Sequence, residues 1–342
     1  MDNSFENLVT IIIPSKNTDK LLLKSIKKIR ELYKTVKIIL VLDEINENNS
    51  ITDENITILK SGNFNMSAKR NLGVKNSKTK YAAFIDSDAY PKENWLENAV
   101  CFLENNADYT AVTGCQFSPA DDNFVQICLR HVRFNRLFTH REWCMIIDEN
   151  STELDCKGFI TSNVIIKKSD YEDIGGMNEN IYLAEDNEFS ARLISKGYKI
   201  RFIPDVSVYH RESTFYPFFR KIYCMSYYYA NMFIKGKSVK NFRDSIYQFY
   251  PLICIILFFL LWRLLGSYGI NPSFLLILPF IVIVILLSEA FVETQKLKNN
   301  KIKGFFIISA AFFCFCGVWV IGTLLGTVNF PTKKVQTLYK HY

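Results

Sequence analysis

Two aspartates spaced two apart close an apolar run in Lys80-Tyr-Ala-Ala-Phe-Ile-Asp-Ser-Asp-Ala-Tyr-Pro91. In extended backbone, alternate residues point to one side, so Asp86 and Asp88 converge while Ser87 turns away. Carboxylates that close repel unless a cation lies between them. A hard divalent ion, Mg2+ or Mn2+, shared with phosphate oxygens is the usual resolution. Tyr81 to Ile85 reads as a buried parallel strand, and Pro91 as the end of any continuation. The pair therefore sits at a strand's carboxyl end, where open α/β sheets bind ligands. By itself, Asp-x-Asp also describes two solvated acids in a turn.

Other chemistry-bearing residues follow the same logic. Asp43, after the apolar strand Val36 to Leu42, stands where a βαβ nucleotide-binding half places an acid against a base or ribose; the plain alternative is an acid in a polar loop. Lys69 and Arg70, in a helix beginning at Met66, are placed to reach a diphosphate. Glu185 and Asp186 open a helix that stops at Gly197. Acids there commonly cap, but the helix dipole also keeps such an acid ionised and ready to take a proton from a hydroxyl. His210 completes a hard-ion site if it folds back toward Asp88, and is otherwise a structural hydrogen-bonder.

Strands and helices that could position these groups alternate through the first two thirds of the chain. Leu8 to Pro14 is a buried strand, and Asp19 to Leu32 an amphipathic helix with Leu22, Leu23, Ile26 and Ile29 among lysines. Ile56 to Leu59 is a short strand, Trp95 to Glu104 a helix, and Tyr109 to Val112 and Lys199 to Ile203 further strands. In Val125 to His140, Arg130, Arg133 and Arg136 recur among apolar positions. If helical, that is a basic stripe for a lipid phosphate or membrane surface, or simply a solvated face.

The chain has 342 residues and a formal charge of +7, with most long apolar runs after Pro251. The segment before them, roughly 240 residues, suffices for one large α/β domain. Positive charge without a nucleic-acid motif argues against nucleic acid and for a membrane. The cysteines show no Cys-x-x-Cys and read as reduced core residues; no cleavable signal peptide is expected.

Taken jointly and in order, Ile-Ile-Ile-Pro-Ser-Lys-Asn17, Asp43, Lys-Arg-Asn-Leu-Gly73, Phe-Ile-Asp-Ser-Asp88, Gly158 to Asn163, Ile-Gly-Gly-Met177, Ala-Glu-Asp186, Arg-Leu-Ile-Ser-Lys-Gly-Tyr198 and Val-Tyr-His210 resemble the family 2 glycosyltransferases, across about residues 8 to 211. The resemblance implies an α/β GT-A fold, a Rossmann-like mixed sheet flanked by helices. It implies that Asp88 holds the metal bridging the donor's diphosphate, that Asp86 meets ribose, donor sugar and metal, and that His210 is a further metal ligand. Pro14, Asn17, Asp43 and Arg70 would frame a nucleotide, in this family most often uridine. Asp186 would be the base for inverting attack by the acceptor hydroxyl, with Glu185 orienting the acceptor. Leu42-Asp43-Glu44-Ile45 replaces the family's usual acid pair with Gly-Ser, leaving the register of Asp43 open by one residue. The Gln-x-x-Arg-Trp motif of processive synthases is absent, so one sugar per acceptor is expected.

Residues 1–212 are expected to be catalytic, 213–246 to form amphipathic interface helices, and 247–342 to form a transmembrane region. Phe215 to Lys237 mixes aromatics with Arg220, Lys221, Lys235 and Lys237, as a helix in the headgroup region does. Tyr250 to Leu265, Phe274 to Leu287 and Phe305 to Leu325 are apolar runs that approach or exceed the length needed to cross roughly 30 Å of hydrocarbon. Gly322-Thr-Leu-Leu-Gly326 offers a helix-packing face. Four lysines in Glu293 to Lys303 put that loop and the catalytic domain in the cytosol of a multi-pass plasma-membrane protein. Three spans would leave Lys333, Lys334 and Lys340 outside, against the same rule; a re-entrant first hairpin is the alternative. The layout resembles bacterial transferases that extend a polyprenyl-diphosphate-linked saccharide from a nucleotide sugar. Transfer directly to polyprenyl phosphate, or an inactive membrane scaffold or sugar-binding module, are the competing readings.

Overall fold

The computed structural model describes residues 5–45, 51–135, 137, 153–234 and 242–328. Contacts divide the chain into two units, Met1–Asp121 with Arg136–Arg211, and Asp122–Asn135 with Glu212–Tyr342.

In the first unit, β1 (Val9–Pro14) is buried throughout. It is followed by α1 (Lys20–Leu32), whose first turn is capped by the Asp19 carboxylate accepting from the Leu21 and Leu22 N–H groups at 2.9 Å. Then come β2 (Lys37–Leu42), β3 (Ile56–Lys60), α2 (Met66–Asn76), β4 (Tyr81–Phe84) and β5 (Ala89–Pro91). α3 (Trp95–Asn105), β6 (Tyr109–Thr113) and β7 (Gln116–Phe117) follow. After α4 (Phe124–Arg133), which belongs to the second unit, the first resumes with β8 (Leu154–Cys156), β9 (Val164–Lys167), α5 (Lys168–Asp173), α6 (Glu185–Ser195), β10 (Lys199–Phe202) and β11 (Val208–His210).

Eight strands form one mixed sheet in the order β3-β2-β1-β4-β9-β6-β10-β8, with β9 and β8 antiparallel to their neighbours. Period-two alternation sorts β1 between two cores: Ile11 and Ile13 pack with Leu22, Trp95 and Val100, whereas Ile12 packs with Tyr171, Phe189 and Leu193. Each such side chain contributes roughly 1.5–3 kcal/mol by leaving water. Helices thus cover both faces, and the carboxyl ends of β1, β2 and β4 open at one edge. β4 stops at Phe84, the chain becomes extended again from Ala89, and Pro91 ends that continuation as expected. It closes β5, which joins a second sheet, β5-β11-β7.

The second unit comprises α4, α7 (Phe215–Ile234), α8 (Phe242–Ser267), α9 (Ile277–Gln295) and α10 (Lys301–Thr327). Three stretches, Phe249–Ser267, Pro272–Gln295 and Lys301–Thr327, are long and apolar enough to cross a membrane. The Gly-x-x-x-Gly face is used within the chain: a Cβ on Gly322 would overlap Ser226 and the Tyr223 carbonyl, and one on Gly326 the Tyr227 carbonyl.

The basic stripe differs from both expectations. α4 ends at Arg133, and Arg136 lies outside the described residues. Arg130 is only 3% exposed, and Arg133 pairs with the buried Glu212 at 3.4 Å. Spacing alone could not reveal this, because the neutralising acid is distant in sequence. Burial would raise the Glu212 pKa, but Arg133, Arg130, Lys221 and the Ser213 N–H hold it below the ordinary glutamate value of 4.5. A depressed folded pKa stabilises fully above the unfolded value and fades as pH falls through the folded one. Acidification below about pH 4.5 should therefore loosen this unit. Glu212→Gln should cost on the order of 3–5 kcal/mol near neutrality and flatten that acid limb. Melting temperature against pH in detergent checks both, and an unchanged curve would contradict the pairing.

Candidate active site

Asp86 and Asp88 follow β4, whose parallel register with β1 (Ile12 opposite Phe84) aligns them with the residues after Pro14. The antiparallel pairing of β5 with β11 sets Ala89 opposite His210, and Arg211 N–H donates to the Asp88 carbonyl at 3.2 Å. That register folds His210 back. Its Nε2 lies 3.3 Å from Asp88 Oδ1 and 3.9 Å from Asp86 Oδ2. One ligand atom from each of the three residues falls within 4.8 Å of the others.

The ring of His210 is held from behind. Nδ1 faces Gln116 Oε1 at 3.0 Å, and the amide of Gln116 is oriented by donating from Nε2 to Ser162 Oγ at 2.9 Å. With the Gln116 oxygen at Nδ1, the tautomer protonated there would leave the Nε2 lone pair toward the aspartates. Two carboxylates and a neutral imidazole nitrogen fit a divalent cation. Gln116 was not singled out from sequence; a lone Gln on a two-residue strand carries no local signal.

Arg70, 2% exposed, spans the site, donating from Nη2 to Asp86 Oδ1 at 2.9 Å and from Nη1 to Glu185 Oε1 at 3.0 Å. Burial disfavours its charge, yet Asp86, Glu185 and Asp186 more than offset this and hold its pKa above the ordinary arginine value. Lys69, 1% exposed, donates from Nζ to the Ser15 carbonyl at 2.7 Å and pairs with Asp43. Both cations are thus engaged with the site's own groups. Asp43 itself, a quarter exposed, is the acid of Asp43-Glu44 that meets Lys69. Pro14 ends β1 beside Val41, while Asn17 is exposed just beyond it.

Glu185 and Asp186 open α6 after Ala184, which holds the left-handed region at φ 58°. Neither is the N-cap. Asp186 Oδ1 accepts from the Asn187 N–H at 2.8 Å, and Glu185 accepts from Arg70. The approach to α6 is fixed by Asn71: its Oδ1 accepts from Tyr171 Oη at 2.6 Å and from Met177 N–H at 2.9 Å, and its Nδ2 donates to Met177 O at 2.8 Å. Gly176, at φ 68°, leaves room for that amide, since a Cβ there would stand 2.7 Å from Asn71 Oδ1. Asn163 is structural: buried, it accepts from Trp95 Nε1 at 2.8 Å and donates to Val206 O at 2.8 Å.

Residues 10–175 match the model of glycosyl transferase family 2, and residues 141–216 that of the N-terminal domain of galactosyltransferase. The O-antigen chain rhamnosyltransferase WbaN of Salmonella anatum is 29% identical over 164 residues, 46% of this chain and 50% of that one. Glycosyltransferase GlyG of Streptococcus pneumoniae serotype 4 is 28% identical over 127 residues, 34% and 42% of the two chains. The chain spans about half or less of the length of these relatives. Among solved structures, mannosyltransferase PcManGT from Pyrobaculum calidifontis in complex with GDP-Man and Mn2+ aligns over 94% of this chain and 88% of that one, with a TM-score of 0.59 and 15% identity. That likeness shows a shared fold.

Proposed function

We propose, from the premise that residues 10–175 are a glycosyl transferase family 2 domain on a GT-A fold, that this chain transfers one sugar with inversion from a nucleotide sugar, a uridine diphosphate sugar, to a polyprenyl-diphosphate-linked saccharide in cell-surface glycan synthesis. The observation that carries it is the convergence of Asp86, Asp88 and His210 at the strand ends, tied through Arg70 to the acids opening α6. The likeness to an O-antigen rhamnosyltransferase supports the pathway class, and the apolar helices support a membrane acceptor.

In this reading Asp86, Asp88 and His210 hold Mg2+ or Mn2+, which when bound neutralises charge on the leaving diphosphate. Pro14, Asn17 and Asp43 frame the nucleotide, with Lys69 fixing Asp43 through its contact with Ser15. Asp186 takes the proton of the acceptor hydroxyl as it attacks the anomeric carbon. Glu185, its carboxylate held by Arg70, orients the acceptor. Arg70 thereby fixes the donor-side and acceptor-side acids to one rigid group. The catalytic domain lies in the cytoplasm at the plasma membrane, and the helices of the second unit hold it to its acceptor.

Purified full-length protein in lipid, given a panel of labelled nucleotide sugars with either polyprenyl phosphate or polyprenyl-diphosphate saccharides, tests this. Labelled product is expected only with the saccharide acceptors. Product on bare lipid phosphate would move the assignment to lipid charging, and donor binding without product or donor hydrolysis on any acceptor would support a non-catalytic binding module.

A further inference from the structure

The apolar helices of the second unit meet end to end at three corners. α8 passes to α9 through residues 268–276. α9 turns into α10, with Leu297 packed where a Cβ on Gly304 would stand. The third corner is made by α7. Asn231 Nδ2 donates to the Gly326 carbonyl at the far end of α10, at 3.3 Å, and two residues on Phe233 packs on Phe249, where the apolar stretch of α8 begins, with centroids 5.1 Å apart. Each crossing of a bilayer changes the face, so a closed circuit needs an even number of crossings. Three helices joined at all three corners cannot each cross.

We infer that α10 is the helix that does not cross: it lies along the membrane face beneath α7, and α8 and α9 are the pair that enters the bilayer. Three observations select it. None of the apolar stretch of α8 is buried, and Ile253, Leu257, Phe259, Leu260 and Leu264 need lipid around them. α10 instead buries one face along its whole length, through Gly304, Ile308, Phe312, Phe315, Gly322 and Gly326. Its carboxyl-terminal half runs beside α7 in the same direction, from Tyr223 with Gly322 to Asn231 with Gly326. If α10 crossed, α7 would cross with it, carrying the charges of Arg220 and Lys221 into hydrocarbon.

The carboxyl end of α9 is fixed at a polar level. There the buried Glu293 accepts from Asn135 Nδ2 at 2.9 Å and meets His131 Nδ1 at 2.9 Å, and Glu289 accepts from Asn135 at 3.3 Å. The partner of the outer face of α10 is then the headgroup and acyl boundary of the bilayer. Phe306, Phe313, Ile321, Leu324 and Val328 face it. Both ends of the circuit lie on one side, so the segment after Val328, with Lys333, Lys334 and Lys340, falls on the side of the Lys296 to Lys303 turn, in accord with the positive-inside rule.

The test uses the full chain with a protease-cleavable tag after Tyr342, and a second version with the cleavage site in the 296–300 turn, each in inverted and in right-side-out membrane vesicles. Both sites should be cut in inverted vesicles and protected in right-side-out ones; residues 329–342 are too few to recross. Loss of the Tyr342 tag from right-side-out vesicles, or its protection in both while the turn is cut, overturns the inference. Tyr268→Cys, between α8 and α9, should add no label over the wild type when inverted vesicles meet impermeant maleimide; added label there would also overturn it. Nucleotide-sugar binding on the same vesicles reports on the transferase reading separately, and neither result depends on the other.

Discussion

Asp88→Ala should give a folded protein that has lost turnover by at least about 10²- to 10³-fold and no longer binds nucleotide in a metal-dependent way. The folding half of that expectation comes from the backbone. It is the Asp88 carbonyl, which alanine keeps, that accepts from Arg211 and helps seat β11. The chemical half comes from the side chain: without it, Asp86 and His210 offer two donors instead of three. Asp86→Ala is a poorer test, because Asp86 is also a partner of the buried Arg70, and its loss would disturb that cation as well as the metal donors. Gln116→Leu, which frees the back of the His210 ring, should weaken metal affinity by about 10- to 100-fold while sparing the ligands. Mn2+ titration by calorimetry, with turnover in metal and in excess chelator, measures all three. Full turnover of Asp88→Ala, or of the wild type in chelator, would remove metal from the mechanism.

Asp186→Asn should be the second severe lesion, about 10²- to 10⁴-fold in rate, with donor affinity and fold intact. The N-cap is Ala184, and Asp186 makes its local bond by accepting the Asn187 N–H at Oδ1, an oxygen that asparagine retains. Stability should therefore change by less than about 1 kcal/mol. What is removed is the capacity to accept a proton. Glu185→Gln contrasts with it, because Glu185 is bonded to buried Arg70: neutralising it should lower the melting temperature and weaken acceptor binding more than the chemical step. Turnover at saturating donor and acceptor, with melting temperatures for both variants, separates the roles. If Asp186→Asn stayed within a few-fold of wild type, Glu185 would be the next candidate base.

The alternation of apolar strands and amphipathic helices was legible along the chain, because strand and helix periods are local properties of a few consecutive residues. The sequence by itself determined that Pro14, Asp43 and Asp86 fall at strand ends, that Gly197, at φ 86°, closes α6, and that long apolar helices follow. Tertiary structure decided the rest. His210 reaches Asp88 only through the register of β11 on β5. Gln116 sets its ring from a third strand, and Arg70 is engaged by acids from two other segments. The arginines of α4 were visible but not their fate, since Glu212, which neutralises Arg133, lies far along the chain. The apolar runs revealed their length and not their arrangement, which depends on which ends meet. In each case the deciding interaction joins residues remote in sequence, and no local period or spacing encodes such a pairing.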